Sequence, residues 1–257
     1  MEQQKTRPGD LWTLGRHRLL CGDATREEDV ARVLDGSDSV VMASDPPYCS
    51  GGFQEHSRAG GTQIHKGKNA GIAFDNLSTR GYVAMMRRAL QPVRPCAAYV
   101  FTDWRMWSWL HDAVESCGLP VRSMLVWDKG YPGLGGLWRA QHEIVLFAAR
   151  SSKRAKSKAG RSNVLAFPRT GKASGHPTQK PVALFEALLA TDDASERTGA
   201  VVYDPFLGSG TTLLAAERLG RAFVGLEIEP HYCDVAVHRW ETLTGETAMC
   251  EGRKRAA

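Results

Sequence analysis

The sequence predicts a doubly wound α/β fold, with strands and helices alternating along one mostly parallel sheet. Three observations predict it. Seven short runs rich in β-branched and apolar residues recur along the chain. Amphipathic stretches of helical period lie between them. Runs such as AAYVF and AVVY are apolar without alternation, the pattern of strands covered on both faces.

In chain order, the strands are read at His17–Asp23, Ser39–Asp45, Cys96–Asp103, Val121–Asp128, Glu143–Arg150, Ala200–Asp204 and Arg221–Ile228. The helices are read at Glu27–Leu34, Thr79–Gln91, Met106–Cys117, Pro181–Thr191 and Thr211–Leu219. Pro181 suits a first helical position, where no backbone N–H is missed. A chain of 257 residues holds one substantial core of this kind, so residues 1–257 are read as a single domain.

Bulk properties exclude several classes. No run approaches the roughly 20 apolar residues that span a bilayer. The start, MEQQKTRPGDLW, lacks the apolar core of a secretory signal, and a cytoplasmic protein is expected. Six cysteines are scattered without a CxxC pair, which fits reduced thiols rather than zinc ligands or a disulfide scaffold.

Two segments interrupt the alternation. Residues 49–76 form a Gly-rich stretch with no clear period, read as a mobile loop. Its His56 and His65 are an isolated pair, and no metal site is expected. Residues 151–175 are basic. From Arg150 to Lys172 the chain carries eight basic residues and no acid, and Lys153, Arg154, Lys156, Lys158 and Arg161 are candidate phosphate contacts.

Two motifs carry chemistry. The segment VVYDPFLGSGTT, residues 201–212, runs from a strand through a glycine turn into a helical pattern. Gly208 and Gly210 let the backbone approach a ligand, and the helix start offers unpaired N–H groups. Glu227 ends the next strand 19 residues after Gly208, where a carboxylate can accept from both ribose hydroxyls. This spacing alone fits a dehydrogenase as well as a methyltransferase, although GxGxxG is absent.

The second motif is Asp45-Pro46-Pro47-Tyr48, at the end of an apolar strand. The prolines fix φ and remove two donors, so a carboxylate, a carbonyl and an aromatic face are presented together. Two acceptors can bind the two hydrogens of an aromatic NH2 while the ring stacks on its base. An exocyclic base amine is a poor nucleophile, because its lone pair is delocalised. Acceptors on both N–H bonds favour a tetrahedral nitrogen and stabilise the charge that develops on attack. The base must leave the duplex to reach them.

At this point the sequence resembles the β-class (permuted) DNA amino-methyltransferases, which act on adenine N6 or cytosine N4. Four of that family's motifs occur in order: Gly22-Asp23, Asp45–Tyr48, HPTQKP at His176–Pro181, and DPFLGSGTT at Asp204–Thr212. The resemblance implies a Rossmann-like class I methyltransferase sheet of seven strands, circularly permuted. It implies S-adenosylmethionine as cofactor, double-stranded DNA as substrate and base flipping. Asp45, Pro46 and Tyr48 would bind the target amine, with Pro47 shaping the turn. Phe206, Gly208, Ser209, Gly210 and Thr211 would wall the cofactor, with Asp204 near its methionine end, Glu227 at the ribose and Asp23 at the adenine. Thr178 and Lys180 would lie near the cofactor carboxylate.

Asp rather than Ser at position 45 favours adenine N6, with cytosine N4 as the alternative. Residues 151–175 are shorter than the target-recognition region of many relatives. A homodimer and a paired restriction endonuclease are open as partners. An NAD-dependent oxidoreductase and an inactive DNA-binding relic are the readings from other classes. The first would leave DPPY without a role, and intact motifs argue against the second.

Overall fold

Strands and helices alternate over most of the computed structural model, which describes residues 5–37, 39–49, 77–133, 137–150, 161–169, 179–190 and 199–251. The strands are β1 (Leu11–Leu14), β2 (His17–Cys21), β3 (Val40–Ser44), β4 (Ala97–Thr102), β5 (Val121–Asp128), β6 (His142–Ala149), β7 (Val164–Ala166), β8 (Val201–Asp204), β9 (Phe223–Glu227) and β10 (Met249–Cys250). The helices are α1 (Glu27–Leu34), α2 (Thr79–Leu90), α3 (Trp107–Ser116), α4 (Val182–Leu189), α5 (Thr211–Arg218) and α6 (Pro230–Thr244).

All the strands join one sheet in the order β10-β1-β2-β9-β8-β3-β4-β6-β5-β7. The seven expected strands are the contiguous run from β2 to β5. Five of them, β2-β9-β8-β3-β4, are mutually parallel. Strand β6 departs from the parallel reading, being antiparallel to both β4 and β5. The physical reason is the connection: residues 129–141 carry no described helix, and a crossover between parallel neighbours needs one or a comparable span.

Each strand divides its side chains between two cores, as the two-residue period requires. Val41, Ala43, Tyr99, Phe101, Val202 and Phe223 face α4, α5 and α6. Their neighbours Val40, Met42, Ala98, Val100, Tyr203 and Val224 face α1, α2 and α3. The sheet is therefore covered on both faces, which is why AAYVF and AVVY show no polar alternation.

Three short strands and one long helix were not expected from the sequence. β1 and β10 extend one edge, and β7 adds to the other, parallel to β5. α6 buries Cys233, Ala236, Val237 and Trp240, spaced three and four apart along one face. Pro230 begins it and Gly245 ends it in the left-handed region at φ 74°. Those end signals were readable, but its β-branched and aromatic content obscures the helical period.

The topology fixes where a ligand can sit. From β8 the chain continues to β9 on one side, while β3 flanks β8 on the other. A crevice opens at such a reversal, outside the carboxyl ends of the strands. Asp204, Glu227 and Asp45 all lie at that edge. Because β6 is antiparallel, its first residues, including Glu143, lie there too. Among the described residues no helix is long and apolar enough to cross a membrane.

Candidate active site

One half of the crevice is built by β8, its turn, and β9. Asp204 ends β8 and is almost wholly buried, at 2% exposure. Its Oδ1 accepts from Ser44 Oγ at 2.6 Å and from the Phe206 N–H at 3.0 Å. Its Oδ2 accepts from Thr212 Oγ1 at 2.6 Å. Burial pushes the carboxyl up to about 6, and these neutral donors only partly offset it. Ser44 is the last residue of β3, so its hydroxyl ties the ends of two adjacent strands together.

Glu227 ends β9. Its Oε2 accepts from the Gly208 N–H at 2.7 Å and its Oε1 from the Glu229 N–H at 2.8 Å. Burial again dominates and raises the carboxyl to about 7, against the pull of those two N–H groups. Each carboxylate oxygen has two lone pairs, so both retain an acceptor site. Two acceptors on one rigid carboxylate match a vicinal diol.

The two glycines of the turn serve different ends. Gly208, at φ 56°, would place a side chain in open space. Gly210, at φ 87°, would place one 2.9 Å from Cβ of Ala236 on α6. The first leaves a cradle for a ligand and the second lets a helix approach. Ser209 is held from behind by Arg239, whose guanidinium donates to both its carbonyl and its hydroxyl. Thr211 opens α5 and is buried, and Phe206 packs beside the α1–α3 core. An open glycine turn beside a diol-matched carboxylate fits a ribose-bearing cofactor.

Asp23 follows β2 on the same edge. Its Oδ1 accepts from the N–H and hydroxyl of Thr25, each at 2.8 Å. Its own N–H donates to Asp29, which stiffens this turn.

The other half is built around Asp45, just beyond β3. Its Oδ1 accepts from Tyr48 Oη at 2.8 Å and its Oδ2 from Lys180 Nζ at 2.7 Å. Lys180 precedes α4, and its ammonium lies 5.3 Å from the Tyr48 ring centroid, 5.5 Å from that of Phe101 and 6.0 Å from that of Trp127. Glu143 of β6 completes the group. Its Oε2 lies 3.0 Å from Tyr48 Oη and 3.1 Å from Lys180 Nζ. Its Oε1 lies 3.2 Å from Lys129 Nζ. Lys129 follows β5.

Charge balance inside this pocket is unequal. Burial raises Asp45; Lys180 pulls it back and Glu143 pushes it further up, leaving it above the ordinary range. For Glu143 burial is the largest single influence, but Lys180 and Lys129 together overcome it and hold the carboxyl at about 2. Lys180 resists desolvation because both carboxylates face it, so it stays protonated. Burial, reinforced by the two acids, keeps Tyr48 a phenol.

The sequence reading missed Glu143, Lys129 and Ser44. A glutamate opening the otherwise apolar run EIVLFAA is a signal, but its partners come from β3, β5 and the lead-in to α4. Only the antiparallel placement of β6 brings them together. The expected cofactor-carboxylate contact Lys180 has its ammonium committed to Asp45 and Glu143.

Of the expected phosphate contacts, Lys153, Arg154, Lys156 and Lys158 lie outside the described residues, as do Thr178, His56, His65 and nearly all of the Gly-rich stretch. Arg161 is described and exposed, just before β7. Arg150 is exposed and donates to the carbonyls of Pro95 and Gly118, which ties its guanidinium to the scaffold. Among the described residues no cluster of His, Cys, Asp or Glu is placed to hold a metal ion.

The fold is that of a class I S-adenosylmethionine-dependent methyltransferase. The chain belongs to the N6/N4 DNA methylase family, whose pattern it matches over residues 30–238. The type II methyltransferase M.HpaI of Haemophilus parainfluenzae is 25% identical to it over 269 residues, covering 93% of this chain and 79% of that protein. M2.DpnII of Streptococcus pneumoniae, also a type II methyltransferase, is 28% identical over 236 residues, covering 78% and 82%. In architecture the chain is similar to the M1.HpyAVI–SAM complex, with a TM-score of 0.61 at 24% identity over 87% of this chain and 99% of that one. It is equally similar to the cytosine-N4-specific PvuII DNA methyltransferase, with a TM-score of 0.63 at 16% identity over 91% and 92%.

Proposed function

We propose that this DNA methyltransferase acts on N6 of adenine in double-stranded DNA, after the base has left the helix. The observation that carries the reading is the nearness of Asp45 to Asp204, which precedes the glycine turn of β8, with the Ser44 hydroxyl donating to Asp204 Oδ1 at 2.6 Å. Adjacent strands thus bring the amine acceptor and the cofactor cradle to one crevice.

In this reading Glu227 holds the ribose hydroxyls, the turn at Gly208 admits the cofactor, and Asp23 binds its adenine. S-adenosylmethionine supplies an electrophilic sulfonium methyl group. Asp45 accepts one hydrogen of the target amine, and the Pro46 carbonyl, which accepts no hydrogen bond among the described residues, accepts the other. The nitrogen lone pair is thereby turned out of conjugation and towards the methyl. Forming the N–C bond, with the electron pair of the broken S–CH3 bond left on the cofactor sulfur, would make the amine cationic, and it would then release a proton. Asp45, raised above the ordinary carboxyl range, is suited to receive it. Tyr48 offers its ring face to the base.

The basic residues Lys153, Arg154, Lys156, Lys158 and Arg161 are proposed to neutralise phosphates, so affinity for DNA should drop steeply with added salt. A flat salt dependence measured by fluorescence anisotropy would remove them from the interface.

Adenine is favoured because position 45 is Asp, where the resembled family carries either Asp or Ser. The test is incubation of the protein with unmethylated DNA and S-adenosylmethionine, then mass spectrometry of the digested nucleosides. N6-methyladenine is the expected product. N4-methylcytosine would overturn the base assignment and leave the acceptor chemistry in place.

A further inference from the structure

The Tyr48 hydroxyl carries one proton and faces two carboxylates, Asp45 Oδ1 at 2.8 Å and Glu143 Oε2 at 3.0 Å. It can donate to only one of them at a time. The Lys180 ammonium, with three N–H donors, meets both at once, 2.7 Å from Asp45 and 3.1 Å from Glu143. Both groups that occupy Asp45 therefore have a second acceptor within reach, and it is one oxygen of one residue.

We propose that Glu143 is a positioning residue of the transfer step, taking over the Tyr48 hydroxyl and the Lys180 ammonium as Asp45 turns to the target amine. The inference rests on the proposed role of Asp45. Without a second acceptor, an amine arriving at Asp45 would have to displace a buried ammonium and a buried phenol into an apolar pocket. Each would then be left unpaired at a cost comparable to the bond being made. With Glu143 in place the hydroxyl changes partner and the ammonium keeps one, with little movement.

The surroundings are built for this. Lys129 holds the other Glu143 oxygen at 3.2 Å, so the receiving oxygen stays pointed at the pair. Glu143 is kept ionised between two ammonium groups, ready to accept. The rings of Tyr48, Phe101 and Trp127 line the ammonium. The charged or titratable groups facing Asp45 are Lys180, Glu143 and Tyr48, with Asp204 nearby across the strand ends and Tyr82 of α2 within electrostatic reach.

The test is steady-state methylation by Glu143→Gln against the wild type, over a range of pH and on the same DNA. The expected result is a kcat lower by about 10- to 100-fold, with cofactor affinity unchanged. The acid limb of kcat should also move to lower pH, because the negative charge that raises Asp45 is gone. A purely structural role would not move that limb in that direction. Tyr48→Phe keeps the ring, removes the shared proton and should move the limb the opposite way, since a donor to Asp45 is lost. It carries the test alone if Glu143→Gln does not fold, as judged by cofactor binding. Wild-type kcat with an unmoved acid limb in both variants would overturn the inference. If the wild type itself forms no methylated base, the proposed function fails instead, and the two failures are told apart.

Discussion

The two halves of the crevice bury carboxylates by opposite means. Around β8 and β9, Asp204 and Glu227 are satisfied by hydroxyls and backbone N–H groups alone. They rise to about 6 and about 7, because neutral donors do not repay the loss of water. Across the crevice, Glu143 is only half-buried and lies between two ammonium groups, and it is held at about 2. Asp45 stands between the two regimes, with one lysine partner and one acidic neighbour. The proposed cofactor half is thus a set of oriented dipoles, and the proposed target half is a set of balanced full charges. The first suits holding hydroxyls without competing cations. The second suits a reaction in which a proton and a positive charge must be handled.

This contrast can be broken or sharpened by substitution. The largest effect is expected in the target half. Asp45→Ala should lower kcat by about a thousandfold while leaving cofactor affinity near the wild-type value. Single-turnover rates and calorimetric titration read the two quantities separately, and a parallel loss of both would erase the division between the halves.

Next comes Gly210→Ala, where the new Cβ meets Ala236 and the backbone is left-handed. It should destabilise the fold by about 2–4 kcal/mol, measured by chemical unfolding. Gly208→Ala, facing open space, should cost less stability and more cofactor affinity. A reversed order would show that the turn is built for packing at both positions.

The smaller effect concerns pH. With Glu227 near 7, the carboxylate form that accepts two hydroxyls is lost as pH falls, so cofactor affinity should weaken from pH 8 to pH 6 (about tenfold). Glu227→Gln should flatten that dependence. Linkage works the other way in the unliganded protein. The folded value lies above the ordinary 4.5, so the stability associated with the neutral form is full at low pH. It is lost as pH rises through about 7. Glu227→Gln should therefore gain on the wild type in thermal unfolding across that interval.

How much of this was legible in the sequence depends on how local each signal is. The Gly-Ser-Gly turn, DPPY and Glu227 are contiguous signals, and each end of strand could be placed from its own run of residues. The seven central strands were readable because burial on both faces makes them apolar throughout. β7 and β10 were not, since two or three residues carry no period. Direction was also hidden: nothing in EIVLFAA states that it runs against its neighbours. Glu143, whose partners lie at positions 48, 129 and 180, became visible only with the topology. Lys180 shows the same limit from the other side, because HPTQKP names the residue without saying which of two nearby groups its ammonium meets.

The hydroxyl of Ser44 bridging to Asp204 has a consequence for how such an enzyme diversifies. Neighbouring strands in a sheet stand about 4.8 Å apart, and this spacing is set by backbone hydrogen bonds common to every sheet. The proposed donor and acceptor of the methyl group are anchored on two such strands and pinned together at their tips. Their separation is then inherited from the scaffold, whatever the surface segments do. Recognition segments can be lengthened, shortened or exchanged without retuning the distance over which the chemistry takes place. A lineage built this way can change the DNA word it reads and keep the same reaction.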